Sequence, residues 1–234
     1  MMKRIFLAWL LAILLFAVPA MAEEEPGVVV QSSCNIVQSG EYYLVYCFAQ
    51  VHNNSDQIIC LDEGTYQLSN GEQLLAIDKV SQLWPYFLAP GEDGFLFDIV
   101  SFEPNEDGVV VPTVTGLHYQ IQYMTIDPSY AGTQLETRAQ ILMDERSGGL
   151  SVVCELTNPT DMDAYDAAVA FGLYTDGGQM VYADGMNLKD MGIPAGGKVL
   201  VRFDVDDALV EQWRSYNALP AHVRTNAMFR NNED

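Results

Sequence analysis

The sequence predicts an all-β protein made of two tandem antiparallel β-sandwiches, with one short helix near the end of the second. Three observations predict this class. Alternating or apolar runs are separated by Gly, Asn and Pro turns about every 8 to 15 residues, a spacing typical of sandwich strands. The order of turns and strands in the first half recurs in the second. The chain of 234 residues is long enough for two domains of about 100 residues each.

The two halves are more similar in the order of their turns than in the identity of their residues. A polar cluster ends a strand at residues 53–55 (Asn-Asn-Ser) and again at residues 158–160 (Asn-Pro-Thr). A glycine turn precedes a later strand at residues 90–91 (Pro-Gly) and again at residues 194–196 (Pro-Ala-Gly). We therefore expect a first domain over residues 23–127 and a second over residues 133–234. The segment between them is too short to keep them apart, so we expect them to touch.

Each half is expected to contain about six strands. The predicted strands cover residues 28–37, 42–51, 57–68, 95–99, 117–124, 135–143, 150–156, 165–174, 179–186, 198–205 and 221–228. A short helix is predicted from residue 208 to about residue 217, capped by Asp207. Its spacing places Leu209, Trp213 and Tyr216 on one face. Residues 103–112 are expected to form an acidic loop, with residues 109–111 as an extra edge pairing.

The first 22 residues have the pattern of a secretory signal peptide. Lys3 and Arg4 precede an apolar run over residues 5–18, and residues 20–22 (Ala-Met-Ala) form a small-residue cleavage site. The alternative is an uncleaved membrane anchor, but this segment is at the short edge of the roughly 17 to 25 residues that span a bilayer. A lipoprotein would need a cysteine directly after the cleavage site, and the first cysteine is Cys34. We expect a secreted or extracytoplasmic protein, cleaved after Ala22, without membrane insertion.

The strong negative charge narrows the range of partners. The net charge is −21, and loss of Lys3 and Arg4 with the leader would make it −23. Such a surface repels nucleic acid and anionic lipid headgroups, so we expect neither as a partner. The same charge favours a soluble monomer and attraction to cationic groups or divalent metal. An unidentified protein or glycan at the cell surface is the partner that we expect.

Residues 171–174 (Phe-Gly-Leu-Tyr), followed by Asp176 and Gly177, resemble the signature of the FxLYD domain. The resemblance extends to Asn158, to residues 194–196 and to Phe203-Asp204, and covers residues 149–206 well and residues 42–100 loosely. Thr175 is inserted before the aspartate, which departs from the pattern. The resemblance implies immunoglobulin-like sandwiches on an exported bacterial protein. These motifs are turn and core residues, so they specify a fold and carry no chemistry.

The four cysteines indicate disulfides if the protein is exported. Cys47 and Cys154 occupy matching positions in the two halves, which favours two buried apolar side chains. This leaves Cys34 and Cys60 as the predicted bridge in the first domain. Four cysteines allow three connectivities, and four reduced thiols are the remaining alternative.

Two groups of residues are candidate binding sites. Trp84, Tyr86 and Phe87 around Pro85 form an aromatic group able to stack a sugar or anchor a protein partner, although it is also suited to closing one end of the first sandwich. Asp161, Asp163 and Asp166 crowd one loop, where carboxylates can bind calcium, although an acidic chain also forms such clusters by chance. The aromatic group is therefore a candidate ligand or partner patch beside its structural role. No cofactor is expected, with calcium at the aspartate loop as the alternative.

No catalytic motif accompanies these residues. The sequence has no Gly-x-Ser-x-Gly, His-Glu-x-x-His, Cys-x-x-Cys or glycine-rich phosphate loop. His118 and His222 recur at matching strand positions without a shared nucleophile, which favours a structural role. We expect a non-catalytic binding or spacer protein, or an accessory protein that binds carbohydrate, peptide or calcium.

Overall fold

The computed structural model of the protein describes residues 27–103, 113–189 and 191–230. The predicted leader, most of the predicted loop at residues 103–112 and the predicted strand pairing at residues 109–111 lie outside these ranges. Within them the chain is built of antiparallel strands with a single α-helix, which confirms the all-β class. No helix in the described ranges is both long enough and apolar enough to cross a bilayer.

The strands form four sheets. The first half contributes β1 (Val28–Ser39), β2 (Tyr42–Asn53), β3 (Ile59–Asn70), β4 (Gln73–Lys79), β5 (Gln82–Trp84), β6 (Phe87–Leu88), β7 (Asp93–Phe102) and β8 (Gly116–Thr125). The second half contributes β9 (Thr133–Gln134), β10 (Glu136–Met143), β11 (Leu150–Thr157), β12 (Ala167–Tyr174), β13 (Met180–Leu188), β14 (Lys198–Asp204), α1 (Asp207–Ser215) and β15 (His222–Phe229). A 3-10 turn, Pro128–Tyr130, joins the halves.

The sheets stack as four layers. Sheet I contains β4, β3 and β6, with β8 also paired to β3, and sheet II has the order β1-β2-β7-β5. Sheet III has the order β13-β12-β15-β9, and sheet IV the order β10-β11-β14. Apolar side chains of sheets I and II form one core, and those of sheets III and IV form another. Sheets II and III pack against each other, so the halves meet through their inner sheets.

The same hydrogen-bonded corner occurs in both halves. Asn53 is fully buried, and its side-chain amide donates to the carbonyls of Gln57 (2.8 Å) and Leu88 (2.9 Å). Its Oδ1 accepts hydrogen bonds from the backbone N–H and the hydroxyl of Ser55. Asn158 is also fully buried and repeats this arrangement with three residues at matching separations: Thr160, Met162 and Ile193. The polar clusters seen in the sequence are thus equivalent structural corners.

Two details of the helix prediction are wrong. The N-cap is Asp206 and not Asp207, because Oδ1 of Asp206 accepts the hydrogen bond from the backbone N–H of Ala208 (2.8 Å). Leu209 and Trp213 are buried as expected, but Tyr216 is 75% exposed because the helix ends at Ser215. Strand β4 was not predicted either. It returns from the turn at Gly71 to pair with β3.

The interface between sheets II and III depends on small residues in β12. Every residue of β12 is buried because both of its faces are covered. Phe171 packs in the core shared with sheet IV, whereas Ala170 and Tyr174 face sheet II. A Cβ added at Gly172 would lie 2.5 Å from Cε1 of Phe95, so this position needs glycine. The apolar packing continues across the boundary: Val37, Tyr46 and Phe97 of the first half belong to the core of the second.

Polar contacts also fasten the two halves together. Side-chain hydrogen bonds cross the boundary from Asn35 to Val181 O (2.6 Å), Tyr46 to Asp206 (2.7 Å), Gln134 to Glu92 (2.8 Å), Tyr174 to Gln50 (2.6 Å), Gln212 to Ile36 O (2.6 Å) and Asn226 to Asp93 O (2.9 Å). Tyr182 adds edge-on ring contacts to Phe48 and Phe97. The halves therefore meet through an interface of mixed apolar and polar character, in agreement with the expectation that they touch.

Candidate functional site

An open depression among the described residues lies where the two halves meet. It is a cleft of about 410 Å³, which we call the interface cleft. Its lining residues come from both halves: Cys60, Leu61, Asp62, Trp84, Tyr86 and Phe87 from the first, and Asp166, Ala168, Asn187, Lys189, Met228, Phe229 and Arg230 from the second. Its volume lies within the roughly 300 to 1,000 Å³ typical of small-ligand pockets.

The pairing of β5 with β7 positions the aromatic group. Leu83 is buried in the core of the first half, so its neighbour Trp84 points to the opposite face of sheet II and packs against the boundary cluster. Gly185 in β13 leaves room for the indole, because a Cβ there would lie 3.1 Å from Cδ1 of Trp84. Trp84 therefore packs in the interface between the halves and also lines the cleft.

Tyr86 and Phe87 extend the aromatic wall into solvent. The Tyr86 ring lies edge-on to Trp84, with 4.6 Å between the centroids, and 42% of Tyr86 is exposed. Phe87 is held by its ladder position opposite Cys60, and the Arg230 guanidinium lies 5.5 Å from its ring centroid. The predicted aromatic patch thus forms one wall of the cleft, and it is open enough to meet a ligand.

The second half supplies polar groups that the sequence did not point to. Lys189 and Arg230 bring positive charge, which balances the carboxylates of Asp62 and Asp166. The Oδ1 atom of Asn187 is buried without a hydrogen-bond partner among the described residues. These residues lie far from Trp84 in the chain and match no motif, so only the fold identifies them. An unpartnered buried acceptor favours a ligand that donates a hydrogen bond.

The titratable groups of the cleft are suited to binding more than to covalent chemistry. Burial raises the pKa of the Cys60 thiol, and nearby Asp62 raises it further against the opposing effect of Arg230. A thiol with a raised pKa stays protonated near neutral pH and is a poor nucleophile. Burial also raises the pKa of the Tyr86 hydroxyl. The cleft therefore offers rings, neutral donors and fixed charges to a ligand.

The three aspartates of the predicted calcium loop take different positions. Asp166 lines the interface cleft, with a positive φ of 47°. Asp163 accepts a hydrogen bond from the backbone N–H of Ala195 (3.0 Å), and Asp161 is exposed. Within the described ranges, no three His, Cys, Asp or Glu side chains converge as ligands for a metal ion. Calcium binding at this loop stays a prediction without an assembled site.

The structure places three of the cysteines on the first three strands of the first half and the fourth on β11. All four are free thiols in the structure. Cys34 lies directly opposite Cys47 in the β1–β2 ladder, whereas Cys60 lies in sheet I opposite Phe87 and Met124. The bridge between Cys34 and Cys60 stays a prediction, and Cys47 is a second candidate partner for Cys34, directly opposite it in the ladder.

A second depression at the boundary is occupied by contacts within the protein. Asp93 is the hub of these contacts. Its carboxylate pairs with Nδ1 of His52 (2.7 Å) and approaches the Arg224 guanidinium (3.9 Å), while its carbonyl accepts the hydrogen bond from Asn226. Since the polar groups here bind one another, this region serves as a joint, and the interface cleft is the better candidate site.

Comparison with protein-family models found none that matches the chain, and comparison with curated proteins found no match either. The resemblance to the FxLYD domain therefore stays a prediction from the sequence.

Proposed function

We propose that this protein is an exported, non-catalytic binding protein built from two immunoglobulin-like sandwiches, and that its ligand occupies the interface cleft. One observation carries the proposal: the aromatic residues predicted as a patch lie in an open cleft together with polar groups from the other half. The signal-peptide pattern supports export, and the FxLYD resemblance supports the immunoglobulin-like character of the sandwiches.

The lining indicates the chemistry of the ligand. Trp84, Tyr86 and Phe87 offer ring surfaces, which stack well on sugar rings and on aromatic or aliphatic side chains. Oδ1 of Asn187 and the carboxylates of Asp62 and Asp166 accept hydrogen bonds. We therefore propose a ligand that combines a ring with hydrogen-bond donors, supplied either by a glycan or by an exposed peptide segment of a partner protein.

The charge of the cleft widens the range of ligands. The protein as a whole is strongly acidic, with a net charge of −21, and this charge repels acidic ligands. In the cleft, Lys189 and Arg230 offset Asp62 and Asp166, so the local charge is close to neutral. Neutral and weakly acidic glycans or peptides are thus able to approach this part of the surface.

Screening arrays of immobilised glycans and peptides with the chain from residue 23 tests the proposal. Tyr86→Ala removes the most exposed ring of the cleft, and we expect about ten-fold or greater loss of affinity for a captured ligand. The matched control is Tyr216→Ala, because Tyr216 is 75% exposed and lies outside the cleft. Binding of the protein to the glycan array or to the peptide array shows which class of ligand supplies the ring.

A spectroscopic readout places the ligand in the cleft. Trp84 and Trp213 are the two tryptophans beyond the predicted leader, and Trp213 is buried in the second core. In a Trp213→Phe background, a captured ligand should change the emission of Trp84. Equal losses for the Tyr86 and Tyr216 variants, or an unchanged Trp84 emission, contradict the proposed site. A chain that captures nothing on either array favours the spacer function instead.

A further inference from the structure

Cys34 and Cys47 face each other across two neighbouring strands. The register of β1 and β2 pairs them directly. Directly opposed residues in an antiparallel ladder project from the same face, with Cα atoms about 4.5 to 5.5 Å apart. This separation lies within the range of about 4.4 to 6.8 Å found for disulfides. The pair thus satisfies the backbone requirement for a bond without movement of either strand.

The surroundings place both thiols on the core side of sheet II. Cys47 is fully buried in the first core, and Cys34 packs against that core while keeping part of its surface exposed. The neighbouring pairs on the same face, Ile36 with Val45 and Val30 with Val51, are also core residues. Solvent therefore reaches Cys34, and Cys34 is the thiol through which an oxidant can enter.

The second half supplies a natural comparison. The two corners set the correspondence between the halves, because Asn53 matches Asn158 and Leu88 matches Ile193. The ladders agree with it, and Cys154 therefore matches Ala49, so the expected match between Cys154 and Cys47 is wrong. The residue that matches Cys47 is Val152, which is also fully buried, and the residue opposite Val152 on β10 is Ile141, where the first half has Cys34. A thiol that only filled core volume would need no second thiol beside it. The first half differs from its repeat by having two opposed thiols where the repeat has two aliphatic side chains.

We propose that Cys34 and Cys47 form a cross-strand disulfide when the protein meets a disulfide-containing oxidant of the extracytoplasmic compartment. The proposal rests on the export included in the proposed function, but not on the ligand. The Cys34 sulfur, as thiolate, attacks one sulfur of the oxidant, whose S–S bond breaks and releases one thiol. The Cys47 sulfur then loses its proton and attacks the Cys34 sulfur, which displaces the second thiol. Two protein thiols are oxidised, and one oxidant disulfide is reduced to two thiols.

The acidity of the thiols determines the rate of this exchange. Burial raises the pKa of both the Cys34 and the Cys47 thiols. Thiolates are therefore scarce near neutral pH, and bond formation in the folded protein should be slow and should accelerate as the pH rises. The Cys47 sulfur is fully buried, so a reductant, like the oxidant, must approach the bond through Cys34.

The bond would fix the position of β1, which has a ladder partner on one side only. Two hydrogen bonds connect this strand to the second half: Asn35 donates to Val181 O, and Gln212 donates to Ile36 O. A bridge at Cys34 lies next to both of these contacts. It would therefore hold β1 in sheet II and help to preserve the boundary between the halves.

Mass spectrometry tests the pairing. The folded chain from residue 23 is incubated with oxidised glutathione at mildly alkaline pH, unfolded without reductant, and alkylated. We expect a chain lighter by two hydrogen atoms before alkylation, with alkyl groups on Cys60 and Cys154 only. Trypsin is unsuitable because Lys79 is the first cleavage site beyond the leader, so three cysteines share one peptide. Chymotrypsin cuts at Tyr42 and Tyr43 and leaves two fragments joined through Cys34 and Cys47.

Matched variants separate the pair from the other thiols. The double variant Cys60→Ser with Cys154→Ala should still form the bond, whereas Cys34→Ser and Cys47→Ala should not. The melting temperature of the oxidised protein should exceed that of the reduced protein by about 5 to 10 °C, and Cys34→Ser should abolish the difference. Four alkylated cysteines, a bond from Cys34 to Cys60, or glutathione retained on Cys34 would each overturn the proposal. Formation or failure of the bond between Cys34 and Cys47 does not bear on ligand capture by the interface cleft, because neither residue lines it.

Discussion

The two halves of the chain share a buried asparagine corner but differ in charge. Between residues 23 and 127, Lys79 is the sole Lys or Arg, against sixteen Asp and Glu. Residues 128–234 contain the same number of acids but eight Lys and Arg. Among these eight, Arg224 approaches Asp93 and Arg230 stacks on Phe87, both in the first half. The difference teaches that basic side chains of the second half serve both halves: these two reach the acidic first half, whereas Lys198, Arg202 and Arg214 pair with carboxylates of their own half.

The cores differ as well. The first core includes Asp98, which is 4% exposed, and the Tyr119 hydroxyl, which has no hydrogen-bond partner among the described residues. The second core is dominated by aliphatic and aromatic side chains, and α1 adds Leu209 and Trp213 to it. Each core therefore contains a buried polar atom without a hydrogen-bond partner among the described residues, the Tyr119 hydroxyl in the first and Nε1 of Trp213 in the second, and the buried carboxyl of Asp98 distinguishes the first.

The largest effect is expected at the shared corners. Asn158→Ala and Asn53→Ala each remove several buried hydrogen bonds and leave carbonyl groups unpaired, so we expect a loss of about 3 to 5 kcal/mol for either variant. Because the halves share a packed boundary, both variants should shift one common unfolding transition in urea.

The control for the corners is Asn70→Ala, since Asn70 is an exposed residue next to a turn. It should change the free energy of unfolding by less than about 0.5 kcal/mol. Two separate transitions, with each variant shifting only its own, would show that the halves unfold independently and would break the comparison.

A smaller effect is expected at the boundary. Gly172→Ala pushes a methyl group against the Phe95 ring of the opposite half, and overpacking of this kind costs about 2 to 3 kcal/mol. Gly177→Ala is the control, because its Cβ would meet only Oγ1 of Thr175, at 3.7 Å. Thermal unfolding of the two variants measures the difference in their stability. If Gly172→Ala proves as stable as Gly177→Ala, the two inner sheets do not pack this closely in solution.

The smallest effect is expected at Asp98, and it depends on pH. Burial raises the pKa of the Asp98 carboxyl, partly opposed by hydrogen bonds from Ser81. The native state therefore holds the proton to a higher pH than the unfolded chain does. The stability contributed by this proton is complete below the ordinary pKa of 3.8 and is lost as the pH rises through the raised value.

Asp98→Asn keeps the side-chain shape without the charge. At neutral pH we expect it to be more stable than the parent by about 1 kcal/mol, with a flatter dependence of stability on pH. Denaturant unfolding across the acidic range measures both. The exposed Asp56→Asn should leave the pH dependence unchanged, and an equal response from the two variants would exclude Asp98 as the cause.

Much of the fold was predictable because strands and turns leave local signals. Turn glycines such as Gly71 and Gly196 adopt a positive φ, which glycine accommodates without steric cost, so they mark strand ends in the sequence. The polar clusters at residues 53–55 and 158–160 indicated the two corners, because Asn side chains hydrogen-bond to nearby backbone groups where strands end. Strand β4 escaped prediction because its seven residues combine an apolar stretch with exposed positions at both ends.

The aromatic patch is the part of the candidate site that could be predicted from the sequence alone. The density of rings at Trp84, Tyr86 and Phe87 suggested a binding surface, but its polar partners gave no signal. Lys189 and Arg230 lie more than a hundred residues away along the chain, and both are ordinary surface side chains until the fold brings them to the cleft. The sequence likewise did not indicate that Cys34 lies opposite Cys47, because this position depends on the register of the β1–β2 hairpin.

The sequence by itself determined the all-β class, the turns and the internal repeat, since alternation and glycine conformation act over a few residues. Tertiary structure decided the four-layer stack, the composition of the interface cleft and the neighbour of each cysteine. The physical reason is that these features arise from contacts between distant segments. Such contacts depend on the packing of whole sheets, and no short stretch of residues records it.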